Sequence, residues 1–310
     1  MAARVGFYFV PRRLIAVLAF SAGARLLGLV RRASAAAAPV LLVLAILAPP
    51  AGAQQTNSEA DLKALEAALN TRLAFVVTGD VEIDRVARAG LSGLSRVLKA
   101  RTAIEPAAPV GINIETDELA FYPLLYWPVR QDVETLGDKT LAKIDAYMKQ
   151  GGMIIFDTRD YQISLPSGTG SRGPGATALS RLIGDLDIPP LEPVPENHVL
   201  TKSFYLLSTF PGRWDGGALW VEATPVSAAG KSARARRTDG VSSLLITSND
   251  FAAAWALDDA NRALFPVVPG GEVQREMAFR TGINIVMYAL TGNYKADQVH
   301  VPALLERLGQ

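Results

Sequence analysis

The sequence contains no cysteine and only two histidines, His198 and His300. Without thiols there is no disulfide, thiolate metal site, iron–sulfur cluster or cysteine nucleophile. Two imidazoles about a hundred residues apart cannot supply the three-histidine or two-histidine-one-carboxylate sets of catalytic zinc or iron unless the fold brings them together. The chain also lacks a phosphate-cradling loop: "GTGSRGPG" at 168–175 has no P-loop lysine and follows a loop, not a strand, so it reads as a glycine-rich insertion. "ITSND" places Ser248 after an apolar strand but lacks the flanking glycines of a nucleophile elbow, and its nearest candidate base, His198, lies in a proline-rich connection. No cofactor is expected.

Net charge is scarce too, and its distribution matters more than its total. The formal +1 includes Arg4, Arg12, Arg13, Arg25, Arg31 and Arg32, all ahead of the first acidic residue, Glu59. Setting those six aside leaves 25 basic against 30 acidic side chains, a mildly acidic body unsuited to general nucleic-acid binding. With 49% hydrophobic residues, that body can bury a large core.

Val40–Ala48, "VLLVLAILA", follows Arg31-Arg32 and precedes Pro49-Pro50 and "AGA" at 51–53, the basic, apolar, small-residue order of a secretory signal. The run is short of the roughly 20 apolar residues of a membrane span. Counting back through Ala35–Ala38 lengthens it, and a second apolar stretch, Leu14–Ala24, lies upstream, so residues 1–53 read as a signal peptide or a membrane anchor. Either way the body, one domain over 54–310, is expected in the cell envelope on the periplasmic side.

Within the body, strand and helix patterns alternate. A capping box at Ser58 and Asp61 opens a short helix. "LAFVV" (73–77) reads as a buried strand, followed by a helical stripe through Ile83, Val86, Leu91, Leu94 and Leu98. "FYPLLYWPV" (121–129) and Met153–Phe156 are further strands, each followed by an amphipathic stripe. "ALWVEA" (218–223) and "SSLLITS" (242–248) also read as strands, and 283–290 as a buried helix with Gly292 as its cap. The alternation predicts an α/β fold, a single doubly wound, mostly parallel sheet with helices on both faces.

In such a sheet, ligands collect where the strands end. The candidate rim residues are Asp80, Asp157, Arg159, Asp160, Asn249 and Asp250; Arg213 and Trp214, in "FPGRWDGG" (210–217), form a candidate partner loop. Asp157 is expected to anchor the turn after its strand, with Arg159 and Asp160 facing the rim. Asp80 directly precedes a helix and reads first as a cap. The basic segment 227–240 reads as a solvated loop, and the pairs Tyr122–Trp127 and Trp214–Trp220 as packing or as a ligand platform.

"FYPLLYWPV", "GGMIIFDTRD", "NHVLTKSFYLL" with "FPGRW", "SNDFAAAW" and "GINIVMYALTGNYKADQVHVPALLERLGQ" together resemble a bacterial family designated a domain of unknown function. That family is frequent in alphaproteobacteria, often as the C-terminal part of aerotolerance-type envelope proteins with a double-transmembrane N-terminal region. The resemblance covers about residues 60–310 and implies a class I glutamine amidotransferase-like (flavodoxin-like) fold. Amidotransferases use a cysteine on a strand-to-helix elbow, so their activity does not transfer to this chain. Two functions remain: a non-catalytic envelope module binding a partner protein, such as another envelope or membrane protein, or a small ligand at the rim; and a divergent metal-assisted hydrolase using Asp80, Asp157 and Asp250.

The small residues after the apolar run predict a mature terminus at Gln54. Amino-terminal sequencing of the protein from native membranes tests this; a chain still beginning before Val40 would establish an uncleaved anchor.

Overall fold

Alternate residues of a strand point to opposite faces, and β1 (Arg72–Val76) shows how this chain uses them: Leu73 and Phe75 enter one core while Ala74 and Val76 enter another. A computed structural model describes residues 71–163, 173–223 and 241–308. β1 is joined by β2 (Ala107–Ile112), β3 (Leu124–Pro128), β4 (Met153–Asp157), β5 (Leu191–Pro193), β6 (Trp220–Glu222) and β7 (Leu244–Thr247) in one sheet of order β2-β1-β3-β4-β7-β6-β5. The first five in that order are parallel; β6 is antiparallel to β7, and β5 to β6. The sheet is doubly wound. α1 (Val81–Arg101), α4 (Phe251–Trp255) and α5 (Gly271–Leu308) contribute to one core, and α2 (Asp138–Lys149) and α3 (Pro174–Ile183) to the other.

Local chemistry sets the helix ends. Asp80 Oδ1 accepts from the N–H groups of Glu82 (2.9 Å) and Ile83 (3.1 Å), while Glu82 and Asp84 in the first turn and Lys99 and Arg101 in the last complement the helix dipole. Pro174 sits at the first turn of α3, where its missing N–H costs nothing.

α4 lies against α1 at backbone contact. A Cβ at Gly90 would stand 2.3 Å from the Ala252 carbonyl oxygen, and one at Gly93 1.9 Å from that of Trp255. The two glycines, three apart on one face of α1, make room for α4. Trp255 then donates from Nε1 to Ala278 O at 2.7 Å, tying α4 to α5. On the other face of the sheet, Trp127 and Phe156 pack with ring centroids 5.4 Å apart.

Several expectations are corrected. β2 was not expected, and "PPLEPVPENH" carries β5 and is not merely a surface connection. α5 continues through Gly292 and Pro302, so Gly292 caps nothing; a glycine weakens a helix interior by about 1 kcal/mol without necessarily ending it. The leader, the Ser58 helix and the 227–240 segment lie outside the described residues, as does the insertion up to Arg172. Among the described residues no helix is long and apolar enough to cross a membrane.

Alanine normally gains about 0.5–1 kcal/mol over glycine in a helix interior. Gly93→Ala is expected to lose stability instead, by at least about 1–3 kcal/mol from overpacking against Trp255. Urea unfolding of the pair measures the sign.

Candidate functional site

The order of the parallel strands reverses between β1 and β3, because the chain moves outward from β1 to β2 and then returns to β3. Open α/β sheets have their ligand crevice at the carboxyl ends flanking such a reversal. Here those ends bring Thr78, Gly79 and Asp80 beside Val129 and Arg130. Arg130 donates from Nη1 to Thr78 O (3.0 Å) and holds Asp132 through two further bonds, of 2.8 and 2.5 Å. Asp84 Oδ1 receives the Thr78 N–H and hydroxyl, both at 2.8 Å. Val77 and Val81 remain exposed at this end, Val81 by 84%.

One strand further, Asp157 ends β4 with no exposed surface. Its Oδ2 accepts from Tyr126 Oη (2.9 Å) and Phe251 N (2.7 Å), and its Oδ1 from Arg159 N (3.1 Å) and Asp250 N (3.2 Å). Burial, and then the neighbouring Asp250 carboxylate, push its pKa up to about 7 against the pull of those donors. Burial also raises Asp250, while Arg159 and Arg213 hold it down. The Tyr126 hydroxyl, buried beside both carboxyls, is pushed well up.

Two non-glycine residues at these strand ends are left-handed, Arg159 (φ 56°) and Asp250 (φ 55°). Their N–H groups both point at Asp157, which offsets the conformational cost. Asp160 accepts from Thr158 Oγ1 (2.5 Å) and from Gly175 N (2.8 Å), so it satisfies an N-terminal donor of α3. Asn249 is fully buried; its Nδ2 donates to Phe210 O and Gly217 O and its Oδ1 accepts from Gly217 N. The loop carrying Arg213 and Trp214 docks here as well, through Arg213 N to Asp250 O (3.2 Å) and Trp214 N to Asn249 O (3.1 Å). The Arg213 guanidinium lies over the rings of Trp214 (5.0 Å) and Phe265 (5.4 Å), with Asp250 Oδ2 3.6 Å away.

The structure therefore gathers Asp157, Arg159, Asp160, Asn249, Asp250, Arg213 and Trp214 at neighbouring strand ends. Asp80 instead caps α1. Asp160, expected to face outward, is 2% exposed because it is engaged by Thr158 and α3. Among the described residues no three His, Asp or Glu side chains are placed to hold a metal, so Asp80, Asp157 and Asp250 do not form the carboxylate set that metal-assisted hydrolysis needs. His198 spends Nδ1 on Leu200 N–H (3.2 Å) and packs on Tyr288, with burial lowering its pKa. The aromatic pairs are split: Trp127 is core, while Trp220 is 40% exposed on β6. Arg130 and Tyr126 were not foreseen. Tyr126 has period-two spacing within its strand as a signal, whereas Arg130 matters only through strand order.

The family described as Domain of unknown function (DUF4159) matches residues 72–290, from β1 into α5. The chain belongs to this family. No curated protein matches the chain. In this DUF4159 domain the strand-end cluster is not fully satisfied. Arg159 Nε, Arg213 Nε and Asp250 Oδ1 are buried without a hydrogen-bond partner, two donors and one acceptor around one pair of carboxyls.

The raised native values of Asp157 and Asp250 set a pH dependence. Above about pH 4 an unfolded Asp157 releases its proton while the native domain keeps it, so this group's contribution to stability is greatest at low pH and is lost as pH rises through about 7; the raised Asp250 acts in the same direction. The slope approaches about 1.4 kcal/mol per pH unit for one fully shifted proton. Asp250→Asn, which tolerates the left-handed backbone, is expected to flatten that slope and to lower the Asp157 midpoint. Denaturant unfolding from pH 5 to 8 and carboxyl-carbon NMR report the two effects.

Proposed function

We propose that the DUF4159 domain is a non-catalytic, envelope-associated module that receives a partner protein at the carboxyl rim of its sheet. The supporting observation is how the rim's groups are used. Three of its carboxylates are consumed internally, Asp157 by four donors, Asp160 by two and Asp80 by two, while Asp250 is buried with one oxygen unpartnered. Arg130, Arg159 and Arg213 stay partly exposed, and Val77, Val81 and Ile163 present apolar surface beyond β1 and β4. Arginine beside apolar side chains is the composition of interface hot spots, and it favours a partner surface carrying carboxylates among apolar groups. No free carboxylate remains at Asp157 or Asp160 to serve as a general base.

The parallel strand order supports a flavodoxin-like, class I glutamine amidotransferase-like kinship. The absence of cysteine separates this chain from thiol-dependent amide transfer. The signal-like leader, together with the resemblance to alphaproteobacterial envelope proteins, supports export to the periplasmic side, where the partner would be another envelope or membrane protein.

A photo-crosslinking residue at Val81, in cells making the full chain, is expected to trap one discrete partner, with trapping reduced by Arg130→Glu. The same crosslinker at Gln150, at the amino end of β4, is the control. Equal trapping from both positions would remove the rim as the docking surface.

A further inference from the structure

A separate groove of about 550 Å³ runs between the outer face of α1 and the edge strand β2. That volume lies within the range of small-molecule sites, about 300–1,000 Å³. Its α1 wall is one stripe at helical spacing, in which Arg85, Arg88, Arg96 and Lys99 alternate with small residues including Ser92 and Ser95. Four cations thus face a single lining carboxylate, Asp259.

The cations differ in how far they are committed. Arg96 is structural, with Nη1 on Asp258 O (2.8 Å) and Nη2 on Leu257 O (3.1 Å), although its Nε has no partner. Arg85 and Lys99 are paired only with Glu82 and Glu105, all four side chains at least half exposed, and exposed pairs of this kind are weak. Arg88 lies over the Phe75 ring at 5.2 Å and makes one long bond, 3.4 Å, to Pro109 O. Between them is an unmet need: Ser95 is 8% exposed, lines the groove, and its hydroxyl has no hydrogen-bond partner. A helical serine ordinarily bonds back to the preceding turn. The β2 wall includes Pro106 and Pro109, which have no N–H to pair with an added strand, so an extended peptide is a poor occupant.

We propose that this groove binds a phosphate-bearing ligand, its phosphoryl oxygens engaged by Arg88 and Lys99 and by the Ser95 hydroxyl. A phosphoryl group offers several acceptor oxygens and a negative charge, one on a diester and more on a monoester or pyrophosphate, which matches clustered cations with a partnerless hydroxyl better than a lone carboxylate does. The same chemistry occurs on soluble phosphate esters and on anionic lipid headgroups.

Calorimetry with pyrophosphate, and flotation with phosphatidylglycerol-containing against pure phosphatidylcholine vesicles, test the full chain. Arg88→Glu and Lys99→Glu should each weaken pyrophosphate binding by about tenfold or more, and Ser95→Ala by roughly three- to tenfold. Lys149→Glu, the same charge change on α2, should leave it intact. Pyrophosphate binding without Arg88-dependent flotation identifies a soluble ester; flotation that Arg88→Glu abolishes identifies a headgroup. Ser95→Ala removes one buried, partnerless hydroxyl and leaves every charge in place, so it reads the site even where a charge reversal perturbs folding. Absence of both binding and flotation in the unaltered chain, or equal pyrophosphate affinity in all four variants, would overturn the proposal.

Discussion

Asp157 ends β4 in the middle of the sheet with no water to hydrate it, and donors from three segments close on its two oxygens. A carboxyl group taken out of water is tolerated only when it is hydrogen-bonded, paired or neutralised, and here hydrogen bonding and a raised pKa act together. Much of the architecture follows from it. Its bonds to the N–H groups of Asp250 and Phe251 hold the left-handed turn that launches α4. α4 is only five residues long and could not stand alone, yet it fills the space left by Gly90 and Gly93 and carries Trp255 to its bond with α5. One side chain at a strand end thereby positions a short helix that two longer helices need for their packing.

The same arrangement decides what the rim can offer. Acidic groups engaged from within and buried away from solvent are not free to pair with an arriving group. The arginines beside them are permanently charged and partly exposed. Two of them are themselves paired, Arg130 with the exposed Asp132 and Arg213 with Asp250, so the charge at the rim is local and not uniform. The buried partnerless atoms of Arg159, Arg213 and Asp250 lie in this same cluster, where the low local dielectric makes each unmet hydrogen bond costly.

Strands that are apolar throughout and helices with a clean stripe could be read from the sequence, since burial on both faces or on one leaves a periodic record. β1, β3, β4, β7, α1, α2 and α3 were legible on that basis. β2 was not, because "AAPVGI" is built of small residues and proline on a half-buried edge and makes no apolar run. α4 escaped because five residues are too few to show a helical period. The strand ends were found from the abrupt change after Phe156, but their roles were not. Whether Asp160 faces outward or reaches Gly175, fifteen residues on, depends on where α3 returns to the sheet, and Arg130 gains its place only once β3 is known to lie beside β1.

A formal charge near neutral and a mildly acidic body also conceal an asymmetry that only the fold displays. The α1 side of the sheet carries the groove with four cations and one carboxylate. The α2 and α3 side carries a hollow of about 300 Å³ lined by Asp138, Asp145, Asp185 and Asp187. Fields from such faces do not cancel over molecular distances, because each is screened by salt within about 10 Å and so acts on what approaches its own side. The acidic hollow is an unfavourable place for an anion, and the α1 groove a favourable one. A net charge summed along the chain therefore excludes a uniformly basic surface, but not a locally basic one.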